Sequence, residues 1–451
     1  MKLYVLYLII FITIFINLWW LNSDTHSTEP MRTQSSPRTF GCTIIGGGIH
    51  GTHLVQRLLD ETPIDRSDVC IIDPHERLLA SFRARATTCG MNSLRSTFVH
   101  HIGIEPFGLE SFAEANGRED ELVSTVNYPA RPSLDLFLDH SDYVIERNDL
   151  ESLHYQAAVE EIHELPETQG LRLETTAGPI ETDSCVIAIG HGGRYRCPDW
   201  ATNVDGIDHV WNGFTPDPDA DRTIVVGGGI TAAQLACHLS ETQQVVLLSR
   251  HPLRWEVSEA APPWINWSYV QDELHVHPPG SRDRLEVIRE ARNTATVPPY
   301  FYAEFEKREA DGTLTLTQGA VESATARDGR IQLSLDCGLQ LIGDQVVLAT
   351  GFESAFNHPF VEGVADTLDL DRGYRGMPIL DDGTLAWQTD TDRSVPLYVT
   401  GALALGSVGP YASNIPGARR AGDRISAAIR RRHRSMSDET SKEGHRSEVA
   451  H

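Results

Sequence analysis

Cys42-Thr43-Ile44-Ile45-Gly46-Gly47-Gly48-Ile49-His50-Gly51 is the stretch that decides how this chain reads. A short apolar run with the look of a buried strand enters a Gly-x-Gly-x-x-Gly turn, and Thr52 to Asp60 continues as helix, the order in which a dinucleotide-binding βαβ unit begins. Each glycine has its own task. Gly46 permits the tight turn, Gly48 lets a pyrophosphate approach the backbone, and Gly51 lets helix pack on strand. The unpaired N–H groups of the helix start then face the phosphates. Val69-Cys70-Ile71-Ile72 is a second buried strand ending at Asp73, about 20 residues beyond the turn, where a carboxylate grips a ribose hydroxyl. A glycine turn alone can simply join strand to helix. The strand, the helix and Asp73 together favour a nucleotide.

About 180 residues further on the pattern returns: Thr223-Ile224-Val225-Val226 runs into Gly227-Gly228-Gly229-Ile230-Thr231-Ala232 and a short helix to about Ser240. Ala232 stands where the third glycine would, a permitted variant. The next strand, Val245 to Leu248, ends in Ser249-Arg250 and not in an acid. A carboxylate there repels a 2′-phosphate, whereas Arg250 pairs with it, so this site reads as built for NADPH over NADH. The plainer reading of Arg250 is a solvated strand end; His251 and Arg254 are weaker phosphate candidates. Two turns with opposite charge at the ribose position imply two different dinucleotides, FAD at the first and NADPH at the second.

Three further apolar strands end in glycine: Cys185 to Ile189 before Gly190-His191, Asp344 to Thr350 before Gly351-Phe352, and Leu397 to Thr400 before Gly401. Ligands of open parallel sheets lie outside the carboxyl ends of the strands. Grouped with the first glycine turn, these strands predict an α/β protein with two Rossmann-like dinucleotide-binding domains, the FAD domain being discontinuous. The expected boundaries are 38–214 and 325–430 for FAD and 215–324 for NADPH, with an apolar segment and linker at 1–37 and a disordered tail at 431–451.

With these motifs the chain resembles the flavin-containing and N-hydroxylating monooxygenases, the lysine and ornithine hydroxylase group among them; the Ala349-Thr350-Gly351-Phe352 ending and the Gly229-to-Arg250 arrangement carry the likeness. The resemblance covers about Arg38 to Ile429. It implies that Gly401 and Gly409-Pro410-Tyr411-Ala412-Ser413-Asn414 sit by the flavin ring, with the helix from about Pro416 pointing its positive end there. It places Met91-Asn92-Ser93-Leu94-Arg95-Ser96 along the nucleotide or at the substrate mouth. It further implies that electrons pass from NADPH to FAD and then to oxygen, one atom of which enters a nitrogen, sulfur or carbonyl centre of a small molecule. The cofactor carries that chemistry, so no side chain is named as catalytic. Two departures stand out. The linker motif of Baeyer–Villiger enzymes is represented only by Gly206, His209 and Trp211, and no lysine lies between positions 2 and 307 to hold an amino-acid carboxylate, although an arginine can substitute.

The remaining composition narrows the classes. Asp plus Glu total 63 against 38 Lys plus Arg, a formal charge of −25, with only three lysines. Such a surface repels nucleic acid, which needs a basic stripe. It suits a high-salt, halophilic cytoplasm, where screening removes self-repulsion; an acidic protein of a GC-rich genome is the plainer reading. Seven cysteines without a CxxC argue against a disulfide framework, a zinc ribbon and a redox dithiol. No metal is expected, His100-His101 reading as a partly exposed pair. Trp255, Trp264 and Trp267 either cap the nicotinamide or substrate or pack at a domain interface. Leu3 to Leu21 is long enough to cross a bilayer. With Lys2 before it and Asp24 and Glu29 after it, the remainder would face outward, where NADPH is not supplied. Either translation starts at Met31 and the protein is cytoplasmic, or the segment is a genuine anchor or signal segment. Two rivals to the monooxygenase stay open: a flavin reductase or dehydrogenase without oxygen insertion, and a non-catalytic flavin-binding sensor.

Overall fold

The computed structural model describes residues 37–448 apart from residue 392, with side chains to residue 436. Leu3 to Leu21 and Met31 lie outside the described residues. Among those described, no helix is long and apolar enough to cross a membrane.

Two parallel five-stranded sheets organise the chain. In the first, the strands lie side by side in the order His154–Gln156, Val69–Asp73, Cys42–Ile45, Cys185–Ile187, Leu397–Val399. Numbered along the chain this is 3-2-1-4-5, the doubly wound order. Registers such as Ile44 opposite both Ile71 and Val186 hold it together. Both faces are covered, so its central residues Ile44, Ile71, Val186 and Leu397 are fully buried. That is why these strands read as unbroken apolar runs and not as alternating ones.

The second sheet repeats the plan: Leu314–Gln318, Gln244–Ser249, Arg222–Val226, Gln345–Leu348, with Ile207–His209 at the far edge. Side chains alternate across it with the period of two that a strand imposes. Val225, Leu247 and Val347 pack against Ala232, Leu235 and Ala236 of the helix Ile230–Leu239. Ile224, Val246 and Val346 pack against Ile331 and Leu333 on the opposite face. Each sheet also carries an inserted antiparallel meander, just before Cys185–Ile187 in the first and just before Gln345–Leu348 in the second. In the first it is Val159–Leu165, Gly170–Thr175 and Ile180–Thr182, and in the second Val321–Arg327, Arg330–Leu335 and Gln340–Gly343. The two units are thus built alike, although only their glycine turns are alike in sequence.

Three expectations need correction. The strand Gln345–Leu348 pairs with Arg222–Val226, Ile224 opposite Val346, so it closes the second sheet and does not belong to the first. A buried strand ending in glycine has the same local pattern in either sheet, and only long-range pairing decides between them. The tail is helical, the last helix running from Ile415 to Glu448. Residues 430–442 contain neither proline nor glycine, and they prolong a helix already nucleated by its packed first half. That half docks on the helix Ile49–Glu61 through Arg57 Nη2 to Asp423 Oδ1 at 2.7 Å and Ser426 Oγ to Glu61 Oε2 at 2.7 Å. Lastly, His101 is fully buried, edge-to-face on His140 with ring centroids 4.8 Å apart.

Candidate active site

The first glycine turn has the geometry its sequence demands. Gly46 takes φ +115°, and a Cβ there would stand 2.5 Å from the Ala188 carbonyl oxygen; at Gly51 it would stand 1.9 Å from the Gly46 carbonyl oxygen. Gly48 differs from both, because an added Cβ would meet nothing within 4 Å. Strand and helix close up at Gly46 and Gly51, and the open side of Gly48 is left for a ligand. The helix Ile49–Glu61 begins there with no side-chain cap and no acid in its first turn, which leaves N–H donors and the positive dipole end for an anion. Asp73 stands at the neighbouring strand end, where its Oδ2 accepts from Gly47 N–H at 2.7 Å and its Oδ1 from His75 N–H at 2.9 Å. Asp73 therefore braces the turn, with lone pairs remaining for a hydroxyl.

The second turn matches it. A Cβ on Gly227 would stand 2.5 Å from the Ala349 carbonyl oxygen and 3.0 Å from the Ala232 methyl, so that methyl fills the place of the third glycine. Gly229 is open, its nearest neighbour being the Ala295 Cα at 3.7 Å from such a Cβ. Here too the helix starts uncapped. Ser249 is buried and donates to the His251 carbonyl at 2.8 Å, while Arg250 is exposed beside it. Among the described residues Arg250 has no ion-pair partner.

The two crevices meet. Gly190 and Gly401, at adjacent strand ends of the first sheet, take φ of +62° and +71° and carry no side chain into the space between them. His191 follows Gly190 and stacks on Phe352, which follows Gly351 at the switch point of the second sheet, with centroids 4.4 Å apart and planes 7° apart. Arg196 N–H donates to the Gly351 carbonyl at 2.9 Å, and Arg85 lies over Phe352 at 5.4 Å. A dinucleotide lying on each turn would bring its far end to this junction. Burial, and then Arg292 and Arg85, hold the His191 imidazole down to about 4, so it is neutral at pH 7. Its Nδ1 and the Oδ1 of Asn414 are buried without hydrogen-bond partners. Open glycines, uncapped helix starts and these two orphaned atoms fit FAD at the first turn and NADPH at the second.

Beside the junction lies a cavity of about 460 Å³, lined among others by His191, Ala402, Leu405 and Ser413 and by Arg289, Arg292, Glu353 and Arg375. One wall is braced by the helix Arg282–Ala291 through Arg284, whose side chain is 1% exposed. Its guanidinium grips both oxygens of Asp382 at 2.7 Å and also donates to the carbonyls of His277 and Gly406 at 2.9 Å. Pro410 is buried, and the neighbouring Gly409 packs on Trp264. Of this loop, Ser413 reaches the cavity. The tryptophans are packing residues: Trp264 in a cluster with Val270, Leu274 and Tyr411, Trp255 against Tyr302 and Phe305, and Trp267 beneath Arg424 at 3.1 Å. Arg95, the arginine of the 91–96 segment, donates to the carbonyls of Glu256, Val257 and Ser258 and to Thr296 Oγ1. It fastens that segment to the opposite loop and leaves little to hold a substrate carboxylate. His191, Arg284 and the cavity arginines escaped the sequence reading, since no local motif marks them.

Comparison with known proteins agrees with this architecture. A family described as FAD-NAD(P)-binding matches residues 43–192. No curated protein matches the chain. Among solved structures, the ornithine N-hydroxylase of Kutzneria sp. 744, with reduced FAD, NADP+ and L-ornithine, superposes with a TM-score of 0.71 at 17% identity, covering 88% of this chain and 100% of that one. The ornithine hydroxylase of Pseudomonas aeruginosa gives 0.69 at 18% identity over 87% and 99%. The L-lysine 6-monooxygenase of Pseudomonas syringae gives 0.67 at 18% over 87% and 99%. A bacillithiol disulfide reductase of Bacillus cereus is more distant, with a TM-score of 0.55 at 17% identity over 88% and 100%. The chain has the two-dinucleotide α/β fold of the flavin-dependent N-hydroxylating monooxygenases, across nearly nine-tenths of its length.

Proposed function

We propose that this protein is an FAD-dependent monooxygenase reduced by NADPH, of the N-hydroxylating type, acting on a small molecule. One observation carries the reading: two complete dinucleotide turns on two sheets whose switch points meet at the His191–Phe352 stack, beside a cavity large enough for a small substrate. Bound FAD would supply the redox chemistry and the activation of oxygen. The chain supplies placement. Gly46, Gly48 and Gly51 with Asp73 hold the FAD diphosphate and ribose, while Gly190, Gly401 and the Pro410 loop flank the flavin end. Gly227, Gly229 and Ala232 hold the NADPH diphosphate, Ser249 and Arg250 its 2′-phosphate, and Gly351 opens the path to the flavin. The pairing of Gln345–Leu348 within the second sheet supports an NADPH unit of about residues 205–353, with the FAD unit on either side.

The test is simultaneous measurement of NADPH oxidation, oxygen uptake and hydroxylamine formation by the FAD-loaded protein supplied with candidate amines. Product formed in step with oxygen uptake is expected. NADPH oxidation with no oxygen uptake would replace the proposal with a reductase. The only exposed described cysteines, Cys197 and Cys337, are both free, so nothing favours a dithiol reductase. A cytoplasmic location, where NADPH is supplied, goes with this reading.

A further inference from the structure

The protein carries a formal charge of −25, yet the charged residues lining the cavity beside His191 are three arginines, Arg289, Arg292 and Arg375, and one glutamate. That glutamate is already engaged, Glu353 Oε2 lying 2.5 Å from Arg194 Nη2. Arg292 comes no nearer to a carboxylate than 3.9 Å, to Glu259, too long for a hydrogen bond. Arg289 and Arg375 have no ion-pair partner among the described residues. Arg375 has a further peculiarity. Its backbone is left-handed, φ +58° and ψ 30°, a conformation that costs an L-residue on the order of 1 kcal/mol and that clusters at ligand sites. The neighbouring backbone enforces it, Tyr374 N–H donating to the Gly280 carbonyl at 2.7 Å and Gly373 N–H to the Met377 carbonyl at 2.8 Å. The fold thus holds an arginine on the rim of this cavity where a glycine would cost nothing.

An excess of cations around one cleft in an anionic molecule concentrates anions there and repels cations. A diamino acid such as ornithine carries net positive charge, and the cavity offers it no free carboxylate. Resting on the N-hydroxylating reading above, we propose that this cavity takes an amine bearing two acidic groups, an amino dicarboxylate or an amino-acid phosphate, held by Arg289, Arg292 and Arg375. Ser354 and Asn357, which also line the cavity, supply neutral hydrogen bonds to orient it.

The test is isothermal titration of the FAD-loaded protein, saturated with NADP+, with L-aspartate, O-phospho-L-serine and L-ornithine at low ionic strength. At least one of the two amines with two acidic groups is expected to bind about tenfold or more tighter than L-ornithine, and Arg289→Gln and Arg375→Gln each to weaken it about tenfold, the loss of one charge-assisted contact. FAD content and melting temperature of both variants report that they fold. Arg289→Glu, which reverses the charge at an exposed position, is expected to weaken the acidic amine further. Ornithine binding as tightly as both acidic amines would overturn the proposal, as would acidic-amine affinity indifferent to all three variants. A loss of NADP+ affinity in place of acidic-amine affinity would also overturn it and assign the arginines to the cofactor phosphates. Failure of NADPH to reduce bound FAD would defeat the monooxygenase reading instead, and leaves the titration result standing by itself.

Discussion

Replacing Gly48 by alanine separates cofactor binding from folding more cleanly than any other change at the first turn. The backbone at Gly48 has φ −76° and ψ −170°, open to any residue, and the added methyl meets nothing within 4 Å. Stability of the FAD-free protein is therefore expected to stay within about 1 kcal/mol of wild type. The same methyl occupies the space a diphosphate needs against the helix start. Displacing the diphosphate there forfeits two N–H to phosphate bonds at about 1.5–3 kcal/mol each, or about 3–6 kcal/mol, which is roughly a 10²- to 10⁴-fold weaker FAD complex. Gly51→Ala is the contrast, since its methyl would stand 1.9 Å from the Gly46 carbonyl oxygen and must distort the fold with or without FAD. The assay is thermal unfolding of the FAD-free proteins by circular dichroism, followed by FAD titration. A Gly48→Ala protein that keeps wild-type FAD affinity, or one that melts as early as Gly51→Ala, would refute the reasoning.

Gly229→Ala is expected to do the same at the second turn, abolishing reduction by NADPH while the purified protein keeps its FAD; equal loss of both would show that the turns do not serve separate ligands. Arg250→Ala should weaken NADPH by about tenfold or more and leave NADH nearly unchanged, and parallel losses in the two KM values would remove Arg250 from the 2′-phosphate. Arg284→Met strands Asp382 and two carbonyls and should destabilise by about 3 kcal/mol, the low end for a broken buried pair because Asp382 is 23% exposed; denaturant unfolding measures it, and a loss below about 1 kcal/mol would show that the brace is dispensable. Burial holds the imidazoles of His50, His100, His140 and His191 down to about 4 and those of His53 and His101 to about 3 and about 2. The unfolded chain thus binds more protons from about pH 6.5 downward, so stability is full above that pH and falls as pH drops towards 4. Unfolding free energies level between about pH 7 and about pH 5 would contradict this.

The glycine turns were readable from sequence because their chemistry is local: a few backbone positions need no side chain, and the sequence says so at Gly46, Gly48, Gly51, Gly227 and Gly229. The strand-end positions of Asp73 and Arg250 were readable for the same reason, each following an apolar run at a fixed distance from its turn. The partner of Gln345–Leu348 was not, because Val346 and Val347 would be equally buried in either sheet and pairing is decided across more than a hundred residues. The cavity was not legible either. Arg289 lies on an ordinary polar helix, Arg292 is the extended residue just past its end, Arg375 lies in a turn elsewhere in the chain, and only the tertiary fold brings them together with His191. The lysine-poor stretch did carry a signal, since it left no lysine to hold an amino-acid carboxylate and any such role to an arginine. Arg95 did not take that place, being engaged by the carbonyls of the facing loop.

The account stands most directly on anaerobic mixing of the purified, FAD-containing protein with NADPH while the visible flavin absorption is followed. Bleaching of that band by NADPH, much faster than by NADH at equal concentration, is the predicted result. A protein that holds no FAD, or whose FAD stays oxidised under NADPH, would contradict the claim that the two dinucleotide sites meet in one electron path.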